Sequence, residues 1–207
     1  SAASDVYKRQ DLGDVIINID FMLTFKAFQQ VSGFELDKVI SLFEKHQVYD
    51  YIERGGVTNE EFALFLKNIF NLSLSTEQVL KCWSGLLLDI PKERIDLIQK
   101  LSSKYRIFIL SNTSYPHILD VNQILEETTG VKDLKDLCEK VYYSFEIAMR
   151  KPALEIYEYV LKDSDLKASE TLFLDDNYDN IVGANQVGIQ TIHVQKPISI
   201  LEYLKNA

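Results

Sequence analysis

The chain has 207 residues, 46% apolar and 26% charged, the make-up of a folded globular protein and not of a disordered or fibrous one. Its formal net charge of -9 opposes general attraction to nucleic acid or to anionic membrane, yet allows a small phosphorylated ligand at a local positive spot. No apolar run approaches the roughly 20 residues that cross a bilayer. The two cysteines, Cys82 and Cys138, have no metal-ligand spacing and no visible secretory leader, and are expected to be buried thiols of a cytoplasmic protein.

The chain opens on a contradiction in the stretch YKRQDLGDVIINID. Asp11-Leu12-Gly13-Asp14 reads as a loop leaving the end of a buried strand, but Asp5, Lys8, Arg9 and Gln10 occupy the strand's place. A central strand covered on both faces should be a continuous apolar run. Residues 1–10 are therefore read as a non-native leader and set aside. From 22 to 90 apolar positions recur at helical spacing, and Thr58 with Glu61 and Ser75 with Gln78 each fit a capping box. Pro91 restarts a helix whose apolar side is Ile95, Leu97, Ile98 and Leu101.

Four short apolar runs follow, at 107–110, 141–143, 171–174 and 191–194, with helix signals between them. Pro152 suits a first helical turn and Gly188 a helix stop. Alternation of this kind predicts an α/β fold, a Rossmann-like doubly wound parallel sheet with an inserted helical cap. The core is expected over 11–21 and 91–207, and the cap over 22–90.

In such a sheet, ligands collect beyond the carboxyl ends of the strands. Those ends carry Asp11, Ser111-Asn112-Thr113, Arg150-Lys151-Pro152 and Asp175-Asp176-Asn177. Singly, each is ordinary turn, surface or capping chemistry. Together they suit phosphoryl transfer to a carboxylate. Clustered acids repel unless a divalent cation lies among them, and oxygen-only ligands favour Mg2+. Ser111 and Asn112 are candidate donors to phosphate oxygens, with Lys151 as the fixed positive charge and Asp11 as the nucleophile.

The segments DLGDV, ILSNTS, MRKP and FLDDNYDNIVGANQVGI, in this order, resemble the four motifs of the haloacid dehalogenase-like hydrolase superfamily. The Asp-Leu-Gly opening, YIERGG and the DDNYDNIVGANQVGI ending are most similar to sugar-phosphate phosphatases that act on glucose 1-phosphate. The resemblance implies Asp11 as nucleophile and metal ligand, the Gly13 carbonyl as a second ligand, and Asp175 and Asp176 as the rest of the Mg2+ site, one of them through water. It also implies Ser111, Asn112 and Lys151 as phosphate partners and Asn180 as a support for the fourth motif.

One departure matters. Phosphatases of this superfamily place an acid two residues after the nucleophile, where this chain has Gly13. A positioned acid or base contributes typically ~10²–10⁴-fold, so an anomeric phosphate, whose leaving oxygen is the weaker base, should suffer less from its loss. Asp14 and Asp20 are candidate substitutes, though one suits a turn and the other a helix cap. Substrate choice falls to the cap. Glu53, Arg54 and Gly55-Gly56 form a polar corner suited to reach into the site, whereas Trp83 suits cap packing better than sugar stacking. His46, His117 and His193 show no metal-ligand pattern and receive no role. The rival readings are a haloacid dehalogenase, which would need no Mg2+, and a binding or regulatory protein that has lost activity with the acid.

Overall fold

A computed structural model describes residues 7–10 and 12–205, the former as backbone only. Five parallel strands, β1 (Tyr7–Gln10), β2 (Ile107–Ser111), β3 (Lys140–Tyr143), β4 (Thr171–Asp175) and β5 (Gln190–His193), form one sheet in the order β3-β2-β1-β4-β5. The four later strands match the apolar runs of the sequence to within a residue. Strand order reverses between β1 and β4, the switch point at which doubly wound sheets bind ligands.

Both faces of the sheet are covered. Ile107, Ile109, Val141 and Leu174 pack with Ile95 and Ile98 of α6 (Lys92–Ser102) and with Ile118 and Val121 of α7 (Tyr115–Thr129). On the other face Phe108, Leu110, Tyr142 and Phe173 meet α9 (Leu154–Asp163) and α10 (Tyr178–Gln186). The period-two alternation along β2 thus serves two cores, which is why the strand is buried at every position. Two short helices, α8 (Ser144–Ile147) and α11 (Ile200–Tyr203), complete this part. Pro152 lies ahead of Ala153, the residue that precedes α9, so it introduces the helix from outside the first turn. Gly188, at φ 84°, follows α10 as a helix stop.

Between β1 and α6 the chain forms five helices, α1 (Phe21–Ser32), α2 (Leu36–Lys45), α3 (Val48–Glu53), α4 (Asn59–Phe70) and α5 (Thr76–Trp83). They share a separate apolar cluster built on Phe28, Phe43, Phe62, Phe70 and Trp83. Both expected capping boxes are present, Thr58–Glu61 on α4 and Ser75–Gln78 on α5. The two connections to the sheet run side by side: Asn18 and Asp20 donate backbone N–H groups to Asp89 and Leu86, and Leu88 donates to Asn18.

The backbone of Tyr7–Gln10 occupies the central position, paired with β2 on one side and β4 on the other. The strand missing from the sequence pattern is therefore made from the residues whose polarity hid it. Because a central strand of this kind favours apolar, β-branched residues, replacing Tyr7-Lys8-Arg9-Gln10 with such a segment ending in Phe is expected to raise the thermal midpoint. The expected gain is at least about 2–4 °C, the equivalent of 1 kcal/mol at this chain length. An unchanged midpoint in a thermal melt would show the present residues to be adequate and end the leader reading.

Candidate active site

Asp11 directly follows β1 in the sequence but lies outside the described residues. The positions around it can be placed. Ser111 ends β2 and is buried, lining a recess of about 60 Å³ with Gly13 and Asn112. The Asn112 side chain faces protein: its Nδ2 donates to the Lys151 carbonyl at 2.8 Å, and its Oδ1 accepts from the Lys151 backbone N–H at 2.9 Å. Asn112 therefore orients the lysine, where the sequence had made it chiefly a phosphate donor.

Lys151 and Asp175 form an ion pair with Nζ–Oδ2 2.7 Å, both side chains fully buried. Asp175 also accepts from Asn180 Nδ2 at 2.9 and 3.1 Å and from the Asn177 N–H at 2.8 Å. Four accepted bonds use the capacity of a carboxylate. Asn180 thus lies against Asp175, and its own carbonyl accepts from Tyr157 Oη.

Asp176, the next residue, differs in kind. It lines a cavity of about 300 Å³ with Gly13, Glu53, Asn112, Arg150 and Lys151. Burial, then the charges of Asp175 and Asp14, push its carboxyl up to about 6, with Lys151 opposing. Of the two acids expected to complete the metal site, Asp176 fronts the cavity and Asp175 anchors the lysine from behind.

Two supports carried no signal that the sequence reading used. Gly183 lies in the middle of α10, where glycine costs roughly 0.5–1 kcal/mol relative to alanine. A Cβ there would lie 2.5 Å from the Pro152 carbonyl oxygen and 3.0 Å from the Tyr157 ring. Its absence lets α10 approach the turn that bears Lys151, and a glycine inside a helical pattern was the available clue. His193, given no role, donates from Nε2 to the Asp176 carbonyl at 2.8 Å and fixes that acid's backbone.

Neither proposed substitute for the missing acid fills the part. Asp14, at φ 50°, accepts the Ile19 N–H at 3.1 Å and pairs with Lys196 at 2.7 Å. Asp20 caps α1 by accepting the Met22 N–H. At Gly13 itself, a Cβ would sit 2.8 Å from Ile19 Cδ1, so an acid there requires the Ile19 side chain to move.

The cap corner divides. Glu53, 7% exposed, reaches the cavity and pairs with Arg150 of the core, Nε–Oε2 2.6 Å. Burial pushes its carboxyl up against the opposing effect of Arg150. Arg54 turns outward to Asp50 at 2.8 Å, correcting the expectation that it enters the site. Beside it Gly55, at φ 76°, lies so close to the core that a Cβ would come within 1.9 Å of the Phe145 carbonyl oxygen. Trp83 is cap packing, as expected: it is fully buried, donates Nε1–H to Ser114 Oγ at 3.0 Å, and stacks on His117 at 4.7 Å. Burial lowers His117 to about 4, so the ring is neutral near pH 7.

A surface cleft of about 830 Å³ lies elsewhere. Glu60, Glu77 and Asp120 outnumber Lys81 along it, a poor setting for an anion. Among the described residues no group of three or more His, Cys, Asp or Glu side chains is arranged to hold a metal ion. No described helix is long and apolar enough to cross a membrane.

Comparison with known proteins identifies the family. The chain is 30% identical over 181 residues to D-ribitol-5-phosphate phosphatase of Bacteroides thetaiotaomicron, covering 87% of each chain. An enzyme of the haloacid dehalogenase family from the same organism, solved in complex with magnesium and inorganic phosphate, superposes with a TM-score of 0.84. It is 28% identical, with 95% of this chain and 98% of that one covered. A predicted hydrolase of this type from Porphyromonas gingivalis gives 0.84 at 27% identity, covering 99% and 100%. The family profile described as haloacid dehalogenase-like hydrolase matches residues 22–194. With that match, and with the second, third and fourth motifs converging beyond the strand ends, the chain belongs to the haloacid dehalogenase-like hydrolase family.

Proposed function

We propose that this protein is a Mg2+-dependent phosphatase of small sugar or polyol phosphates, with Asp11 as nucleophile. The observation that carries the reading is the buried Lys151–Asp175 pair beside the Asp176-lined cavity. A fixed cation and a crowded carboxylate at one edge of the sheet suit a phosphoryl group and a divalent ion. The donors available to the ion, Asp176, the Gly13 carbonyl and Asp11, are all oxygen, the set Mg2+ prefers. When bound, the ion would neutralise charge on the phosphate and its nucleophile.

Asp11 attacks phosphorus and the P–O bond to the leaving oxygen breaks, that oxygen taking a proton from water, so that an aspartyl-phosphate forms. Water then attacks phosphorus, the P–O bond to Asp11 breaks, and phosphate and the Asp11 carboxylate are released with the water's proton passing to solvent. Lys151, held by Asp175 and by the Asn112 amide, offsets the negative charge gathered there. Ser111, in the adjoining recess, offers phosphate a hydroxyl. The relatives support this reading: one is named for D-ribitol 5-phosphate and another was solved with magnesium and phosphate. Gly13 favours an anomeric leaving oxygen, whereas D-ribitol 5-phosphate is a primary ester, so both ester types belong in the assay. A dehalogenase has no use for the Asp176 carboxylate in the cavity.

The test is phosphate release from glucose 1-phosphate, glucose 6-phosphate, D-ribitol 5-phosphate and p-nitrophenyl phosphate, with Mg2+ or with excess chelator. Release is expected with Mg2+ alone, and Asp11→Asn should reduce it by at least about 10³-fold. Equal turnover in chelator would remove the metal from the scheme. Full activity in Asp11→Asn would remove the nucleophile, and silence on every ester would end the phosphatase reading.

A further inference from the structure

The cavity has a polar floor and a cap-borne roof, and the roof holds an unexplained group. Tyr49 Oη is buried and has no hydrogen-bond partner among the described residues. A buried phenol of this kind normally finds one. Its ring is fixed by Phe21, Phe43 and Trp83 at centroid distances of 5.5, 5.8 and 5.0 Å, and it lines both the main cavity and the adjoining recess.

Glu53 follows four residues later on α3, which places it on the same helix face. Arg150 engages its Oε2, and no hydrogen bond to Oε1 is formed among the described residues. Tyr49, with its buried and unpartnered hydroxyl, and Glu53 therefore line the same cavity as Asn112, Lys151 and Asp176.

We infer that Tyr49 and Glu53 form a hydroxyl-reading pair that selects short polyol monophosphates, a reading that rests on the phosphatase function proposed above. A hydroxyl both accepts and donates, so it satisfies the phenol and the carboxylate. An alkyl chain does neither, and an ammonium group cannot accept from the phenol. With phosphate at the floor, hydroxyls of the leaving alcohol face the roof. A cavity of about 300 Å³ stands at the small end of ligand sites, in keeping with a short chain. An ester lacking hydroxyls leaves two buried polar groups unmatched, the situation in which sites discriminate most strongly.

The experiment is a cycle that removes hydroxyls from the substrate and alters the donor or the acceptor on the protein. D-ribitol 5-phosphate, glucose 1-phosphate, glucose 6-phosphate and pentyl phosphate are compared by kcat/KM in the unmutated protein, Tyr49→Phe and Glu53→Gln. The unmutated protein should favour its best polyol ester over pentyl phosphate by on the order of 10²-fold or more. Each variant should shrink that ratio by about 10-fold, largely through KM. Comparable rates on polyol and pentyl esters in the unmutated protein, or an equal fall on both in the variants, would overturn the pair's role. If no ester releases phosphate, p-nitrophenyl phosphate included, it is the phosphatase reading that fails.

Discussion

Lys151→Met is expected to lower phosphate release by at least about 10³-fold and to cost about 3–5 kcal/mol of stability. Both effects have one source. The side chains of Lys151 and Asp175 are wholly buried at 2.7 Å, so removing the ammonium strands a carboxylate whose remaining partners, Asn180 and the Asn177 N–H, are neutral. A second substitution separates structure from catalysis. Lys151→Met combined with Asp175→Asn removes both charges and should restore most of the stability, while activity stays absent. Denaturant melts and phosphate release read the two quantities apart, and unchanged stability in Lys151→Met would contradict the buried pair.

The adjacent acids should fail in opposite ways. Asp175→Asn is expected to destabilise the fold strongly, since it removes the buried carboxylate that pairs with Lys151 and gathers Asn177 and Asn180. Asp176→Asn should leave the metal-free fold as stable or more so, because it relieves a carboxylate disfavoured by burial and by the neighbouring charges of Asp175 and Asp14. Its cost should appear in the Mg2+ requirement, raised by at least about 10–100-fold, the range already seen when outer partners of metal ligands are lost. Thermal melts without metal and Mg2+ titrations of phosphate release check both halves. A destabilised Asp176→Asn with unaltered Mg2+ dependence would reverse the two roles.

What the sequence made legible follows the range of the interactions. Strands β2 to β5 are read from four-residue apolar runs because both faces are covered, and the capping boxes on α4 and α5 are read from residues three apart. β1 was concealed by Lys8 and Arg9, although its backbone is central. Lys151 and Asp176 follow strand ends, which meet by topology in a doubly wound sheet, whereas Asn180, inside α10, was suggested only by the resemblance. The roof was not legible. Glu53 and Arg150 are 97 residues apart, and nothing local distinguishes Arg150 from Arg54, which turned to its helix neighbour Asp50. Tyr49 is one of many aromatic residues in this part of the chain, and an unmet hydroxyl shows only once its surroundings are packed.

Trp83 ties the cap to the sheet on one side. Its indole is fastened to Ser114 and His117 at the start of α7, and the chain crosses between the two parts at Asn18–Asp20 and Leu86–Asp89. A second seam joins them where Glu53 meets Arg150 and Gly55 rests on Phe145. The first seam is made of packed rings and chain connections, the second of one ion pair and one close backbone contact, so parting the second would cost the Glu53–Arg150 pair, whose Glu53 side is buried.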